Sequence, residues 1–148
     1  MRWQPSVTVA AIIEREGKFL FVEEHDATGK RVINQPAGHW ENGETLWAAA
    51  RRETLEESGW DFTPTGLLNI YHWRHSPDTT YLRFAFVGQL GAHDPLRRLD
   101  EGIVGTLWLS LDELAAQRDR HRSPLVMRCV EDYINGKPLP LEVIKHII

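Results

Sequence analysis

Residues 38–60 read GHWENGETLWAAARRETLEESGW. The spacing within this stretch predicts a helix from Thr45 to Ser58. Thr45 supplies an N-cap hydroxyl. Leu46, the alanines 48–50 and Leu55 favour helix, and Gly59 offers the left-handed stop. Glu53, Glu56 and Glu57 stand at i, i+3 and i+4, so their carboxylates share one side of that helix with Cβ atoms about 5–6 Å apart. The plain meaning of such a charge run is a solvated face. Two costs argue against it. Like charges at this spacing disfavour the helix by about 0.2–0.5 kcal/mol per pair, and Glu56 and Glu57 lie in the last turn, where the helix dipole favours cations. Positive charge is therefore expected nearby. Arg51 and Arg52 supply part of it, and a metal supplies more. Oxygen ligands without a histidine or thiol set favour Mg²⁺, with Mn²⁺ as a substitute.

Working outward, Val7 to Ile13 reads as a buried strand. The Glu16-Gly17 turn and the strand Lys18 to Glu24 complete a predicted hairpin. Residues 26–30 read as loop, and Val32-Ile33 as a short strand ending before Pro36. After the acidic helix, Leu67 to Trp73, Tyr81 to Leu90 and Ile103 to Leu109 read as strands. Leu111 to Arg118 and Leu125 to Asn135 read as helices. This order predicts an α/β fold with a mixed sheet and helices packed on it. At 148 residues the chain is expected to be one domain spanning residues 1–148.

Seventeen basic against 21 acidic residues, a net charge of −4, argue against a general nucleic-acid binder. An anionic small substrate remains compatible, because bound metal reverses the local sign. One cysteine, Cys129, excludes an intrachain disulfide and fits a reducing cytoplasm. The apolar run Val7 to Ile13 is too short for a membrane span and lacks a signal-peptide layout, so no membrane partner is expected. The seven histidines show no metal-ligand spacing.

The 38–60 segment resembles the Nudix box through Gly38, Glu44, Arg52-Glu53, Leu55, Glu56-Glu57, Gly59 and Trp60. It departs at Thr54, where the pattern has an apolar residue, and a small stability cost is expected there. Asn34 to His39, Trp108 to Leu114 and the tail from Arg122 to Glu142 resemble the NudJ-type branch of that family. The resemblance implies an α/β/α sandwich with a mixed sheet and a loop-helix-loop catalytic motif. It implies that the Gly38 carbonyl, Glu53 and Glu57 bind metal, that Glu56 is a ligand or the base, and that Arg52 pairs with Glu44. It also implies a phosphatase of nucleoside di- and triphosphates and of hydroxymethylpyrimidine diphosphate. The competing functions are a Nudix pyrophosphohydrolase of other specificity (nucleotide sugars, dinucleoside polyphosphates or oxidised nucleotides) and a non-catalytic nucleotide sensor. The intact carboxylate set argues against the last, since a pure binder does not need it. Glu56 is the favoured base. The expected assembly is a monomer or homodimer.

Further candidates are weighed against plainer roles. Period-two reading of the strand places Tyr81, Arg83 and Ala85 on one face. Arg83 there suits a phosphate and Tyr81 a base, although an exposed sheet face explains both equally. Arg74 and His75 are candidates for phosphate, against simple solvation. Glu101 is read as a solvent-facing loop acid rather than an extra ligand. Trp40, beside His39 in the box loop, is a candidate for substrate contact, and Arg122 and Tyr133 for closing the pocket.

Overall fold

The computed structural model describes residues 2–147. The strand β1 (Ser6–Ile12) is its spine. Val9, Ala10 and Ala11 are wholly buried, so both faces of β1 need cover and it takes a central position. It pairs in parallel with β7 (Thr80–His93) and antiparallel with the short β5 (Ala37–His39). β6 (Trp60–Arg74) continues the sheet beside β7, and β9 (Leu139–Pro140) closes it, in the order β5-β1-β7-β6-β9. This is the mixed sheet the sequence predicts.

The predicted hairpin takes another form. Only β2 (Glu14–Arg15) pairs back onto β3 (Lys18–His25). Glu16 and Gly17 both adopt positive φ, 53° and 80°, the geometry of a tight primed turn. That turn carries the chain out of the first sheet into a second, antiparallel one. There β3 pairs also with β4 (Arg31–Asn34) and β8 (Ile103–Leu109).

Alternate residues of β1 then serve two cores. Val9 and Ala11 pack with Phe86, Leu67, Ala49 and Ala50 beneath α1 (Leu46–Ser58). Ala10 and Ile12 pack with Phe19, Phe21 and Ile33 of the second sheet and with Val126 and Val130 of α3 (Leu125–Asn135). Ala49 and Ala50 let α1 lie close to the sheet. Its Thr45 cap accepts from Ala48 N at 3.1 Å, and Gly59 ends it at φ 75°. Thr54 is wholly buried, and its hydroxyl bonds the Ala50 carbonyl at 2.7 Å, so its polarity is satisfied within the helix. The helix predicted over residues 111–118 is shorter. α2 (Leu111–Ala115) begins on a Ser110–Glu113 capping box, and the chain turns into a 3₁₀ segment at Arg118–Arg120.

Candidate functional site

The 38–60 segment folds around one guanidinium. Arg52 grips both oxygens of Glu44 at 3.0 and 2.8 Å, donates to Glu53 at 2.7 Å and Glu56 at 2.8 Å, and reaches the His39 carbonyl at 3.1 Å. A planar fork suits this task because its donors have fixed directions. Glu44 is held in turn by Glu41 N at 2.9 Å, and the Trp40 indole donates to its carbonyl at 2.7 Å. Trp40 thus ties the loop rather than lining the cleft, whereas His39 does line it. The ion pair expected between Arg52 and Glu44 is present, and the Arg52 hydrogen bonds hold the Glu44 carboxyl below its ordinary range. Gly38 lies so close to the Glu53 carboxylate that a Cβ there would overlap it.

The inner carboxylates are under electrostatic load. Burial raises Glu53 to about 6, opposed by Arg52 and reinforced by the charges of Glu56 and Asp100. Burial raises Glu57 further, to about 9, against the Ala37 N–H that bonds it at 2.9 Å, with Glu24, Glu53 and Asp100 adding to the rise. Arg52 alone does not compensate Glu44, Glu53, Glu56 and Glu57. Among the described residues, Glu53, Glu56 and Asp100 each bring a carboxylate oxygen within 4.8 Å of the others. An all-oxygen donor set of that size fits a hard divalent cation.

Asp100 is an acid the sequence reading did not weigh, although it weighed the neighbouring Glu101 and read it as a solvent-facing loop acid. Its amide donates to the Glu56 carbonyl at 3.0 Å, which pins the loop against the end of α1. Both acids are exposed, but Glu101 stands outside the cluster. The adjacent acid pair was visible in sequence, but only the docking of the loop decides which member lies beside Glu53 and Glu56. Glu57 is likewise outside that triplet of oxygens, its carboxylate being engaged by Ala37, and it lines the cleft beside Glu53.

The cleft encloses about 700 Å³ between the two sheets. Across the mixed sheet His39, Thr8, Arg83 and Tyr71 form one row in register. Arg83 therefore lies two strand spacings, about 10 Å, from the β5 rim where the carboxylates gather. The face carrying it is covered, not exposed. Arg83 is 5% accessible and donates to Gln35 at 3.0 Å, to Asn34 at 3.1 Å and to Cys129 Sγ at 3.7 Å. Beyond it, the Tyr81 ring stacks on Trp73 with centroids 5.5 Å apart, and His75 leans on Trp73 at 4.8 Å. All three line the cleft.

Arg74 is not brought in. It alternates with Trp73 and His75 along the chain, so it faces away, and it donates weakly to the Pro77 carbonyl at 3.4 Å. Arg122 does reach the cleft and pairs with Glu24 at 2.9 Å. Tyr133 does not; its ring packs edge-on against Phe19 at 5.4 Å. Glu24, Asn34 and Trp73 are cleft residues that no local spacing marked as functional.

Comparison with known proteins agrees with this fold. A model of the NUDIX domain matches residues 2–129. The phosphatase NudJ of Escherichia coli K12 is 41% identical over 142 residues, covering 96% of this chain and 92% of that protein. A NUDIX hydrolase from Nitrosomonas europaea superposes with a TM-score of 0.94 at 50% identity, covering 97% of this chain and 98% of that one. The Escherichia coli ORF135 protein, at 21% identity and a TM-score of 0.73 over 90% of this chain and 91% of that one, shares the fold.

Proposed function

This chain belongs to the Nudix hydrolase family, and from that membership we propose that it is a Mg²⁺-dependent phosphatase of nucleoside di- and triphosphates that releases orthophosphate. Hydroxymethylpyrimidine diphosphate fits the same chemistry. The observation that carries the reading is the Arg52-held carboxylate set at one rim of a cleft whose far wall is aromatic. Anhydride phosphates suit the first and a heteroaromatic ring the second. The similarity to a relative named as a phosphatase favours orthophosphate over pyrophosphate as the product.

Glu53, Glu56, Glu57 and Gly38 are proposed to hold the cation, together with Asp100. When bound, the divalent ion supplies charge neutralisation at the phosphoryl oxygens and acidifies water. Arg52 and Glu44 keep the carboxylate rotamers set before substrate arrives. Glu56 takes the proton from the attacking water as the bond from phosphorus to the bridging oxygen breaks. Tyr81 and Arg83 seat the rest of the substrate. Arg74 is left out of this assignment because it points away from the cleft. A time course with a nucleoside triphosphate and Mg²⁺ tests the reading. Stepwise orthophosphate release accumulates the diphosphate before the monophosphate. Pyrophosphate as first product, with no diphosphate, refutes the phosphatase assignment and favours the pyrophosphohydrolase alternative.

A further inference from the structure

Arg83 is a buried cation with no acid beside it. Among the described residues its hydrogen-bond partners are the neutral Gln35, Asn34 and Cys129. Burying a guanidinium without a counter-charge is unfavourable, so its retention at the floor of a cleft calls for a reason. The partners also show what it presents. The Gln35 amide is fixed in orientation, because its Oε1 accepts from Arg83 and its Nε2 donates to the Val126 carbonyl at 2.8 Å. Asn34 Oδ1 accepts from Arg83, which leaves the Asn34 amide nitrogen to face elsewhere. Nε of Arg83 has no protein partner among the described residues. Arg83 and Asn34 both line the cleft. Between them they keep several N–H groups available against one remaining lone pair on Asn34 Oδ1, so this floor of the cleft is rich in donors.

We propose that Arg83 and Asn34 read the base of the substrate and select a ring edge with two adjacent acceptors, a carbonyl oxygen beside an unprotonated ring nitrogen. This rests on the nucleotide reading above. Cytosine offers such an edge through O2 and N3, and guanine through O6 and N7. Uracil places an N–H between its carbonyls, and adenine places an amino group beside N7. Asparagine ordinarily pairs with adenine by accepting from that amino group, but here the Asn34 oxygen already accepts from Arg83, and the donors around it outnumber the one acceptor lone pair that remains. Position favours a base over a phosphate: the Arg83 backbone lies about 10 Å across the sheet from β5, and its guanidinium turns to Asn34, Gln35 and Cys129 rather than to the carboxylates of α1. The stacked Trp73–Tyr81 pair beside it supplies a face for the ring, which is sequence-tolerant by itself. Discrimination must then come from the donors.

Binding of the α,β-methylene analogues of CDP, GDP, UDP and ADP, followed by tryptophan fluorescence in the presence of Mg²⁺, tests this without turnover. The wild type should prefer the CDP and GDP analogues about tenfold, or 1.4 kcal/mol. Asn34→Ala and Arg83→Gln should each reduce that ratio below about threefold while leaving affinity for inorganic pyrophosphate unchanged. Equal wild-type affinity for all four analogues overturns the proposal. So does a loss in the variants shared by all four and by pyrophosphate, which would assign Arg83 to phosphate or to the fold. Should Arg83→Gln fail to melt cooperatively, Asn34→Ala decides alone. Absence of hydrolysis would sink the phosphatase reading, whereas the binding preference stands or falls separately.

Discussion

Replacing Glu57 by glutamine separates the electrostatic cost of this carboxylate from its part in chemistry. In the metal-free folded protein its carboxyl is raised to about 9. The unfolded chain titrates near the ordinary value of about 4.3. Between these values the folded state holds a proton that the unfolded state has lost, so rising pH favours unfolding. The slope for one proton is about 1.4 kcal/mol per pH unit. From pH 5.5 to 8.5 the wild type should therefore lose about 4 kcal/mol that Glu57→Gln retains, because glutamine does not titrate. Against a typical total of about 5–15 kcal/mol that is a large fraction. Glutamine keeps an oxygen for the Ala37 N–H, so packing changes little. The assay is urea unfolding in excess chelator at pH 5.5, 7 and 8.5, with the difference between the two proteins plotted against pH. Saturating Mg²⁺ should restore the wild type at high pH and do less for the variant, since a cation bound only by the folded state adds stability by mass action. Activity of Glu57→Gln should fall about a thousandfold, or 4 kcal/mol. Parallel pH profiles in chelator would refute the burial argument. Near-normal turnover of the variant would remove Glu57 from the ligand set.

Chelation should abolish phosphate release, and Mg²⁺ or Mn²⁺ should restore it; full activity in excess chelator, measured by orthophosphate release, would contradict the cation requirement. Asp100→Asn should weaken Mn²⁺ binding, read by the paramagnetic resonance of the free ion, and slow turnover more than tenfold, whereas Glu101→Gln should slow it less than tenfold, about 1.4 kcal/mol. The reverse order would show that Glu101 is the acid that lies beside Glu53 and Glu56. Thr54→Val should change unfolding free energy by less than about 1 kcal/mol, because the hydroxyl only duplicates a bond to a helix carbonyl; a larger loss would mean that this bond holds α1 in place.

The local sequence sufficed wherever the physics is local. The acidic helix was legible with its Thr45 cap and Gly59 stop because capping and the i, i+4 spacing involve neighbours along the chain. α3 was legible from Leu125 to Asn135 for the same reason. The box residues announced a carboxylate site, and the Arg52–Glu44 pair, which the resemblance implied, is present. Pairing and depth were decided elsewhere. The same apolar run that marks β1 as a strand does not say whether it pairs with β3 or with β5 and β7; that depends on burial of both its faces. Period-two alternation grouped Tyr81 with Arg83 correctly, but whether that face meets solvent depends on α3 and the second sheet, which arrive from distant parts of the chain. Asp100 and Glu101 are indistinguishable in sequence, and only the hydrogen bond from Asp100 N to the end of α1 separates them. The carboxylates come from one helix, so their spacing was readable. The wall opposite them draws Asn34, Trp73, Arg83 and Arg122 from four separate segments, and long-range packing alone brings those together.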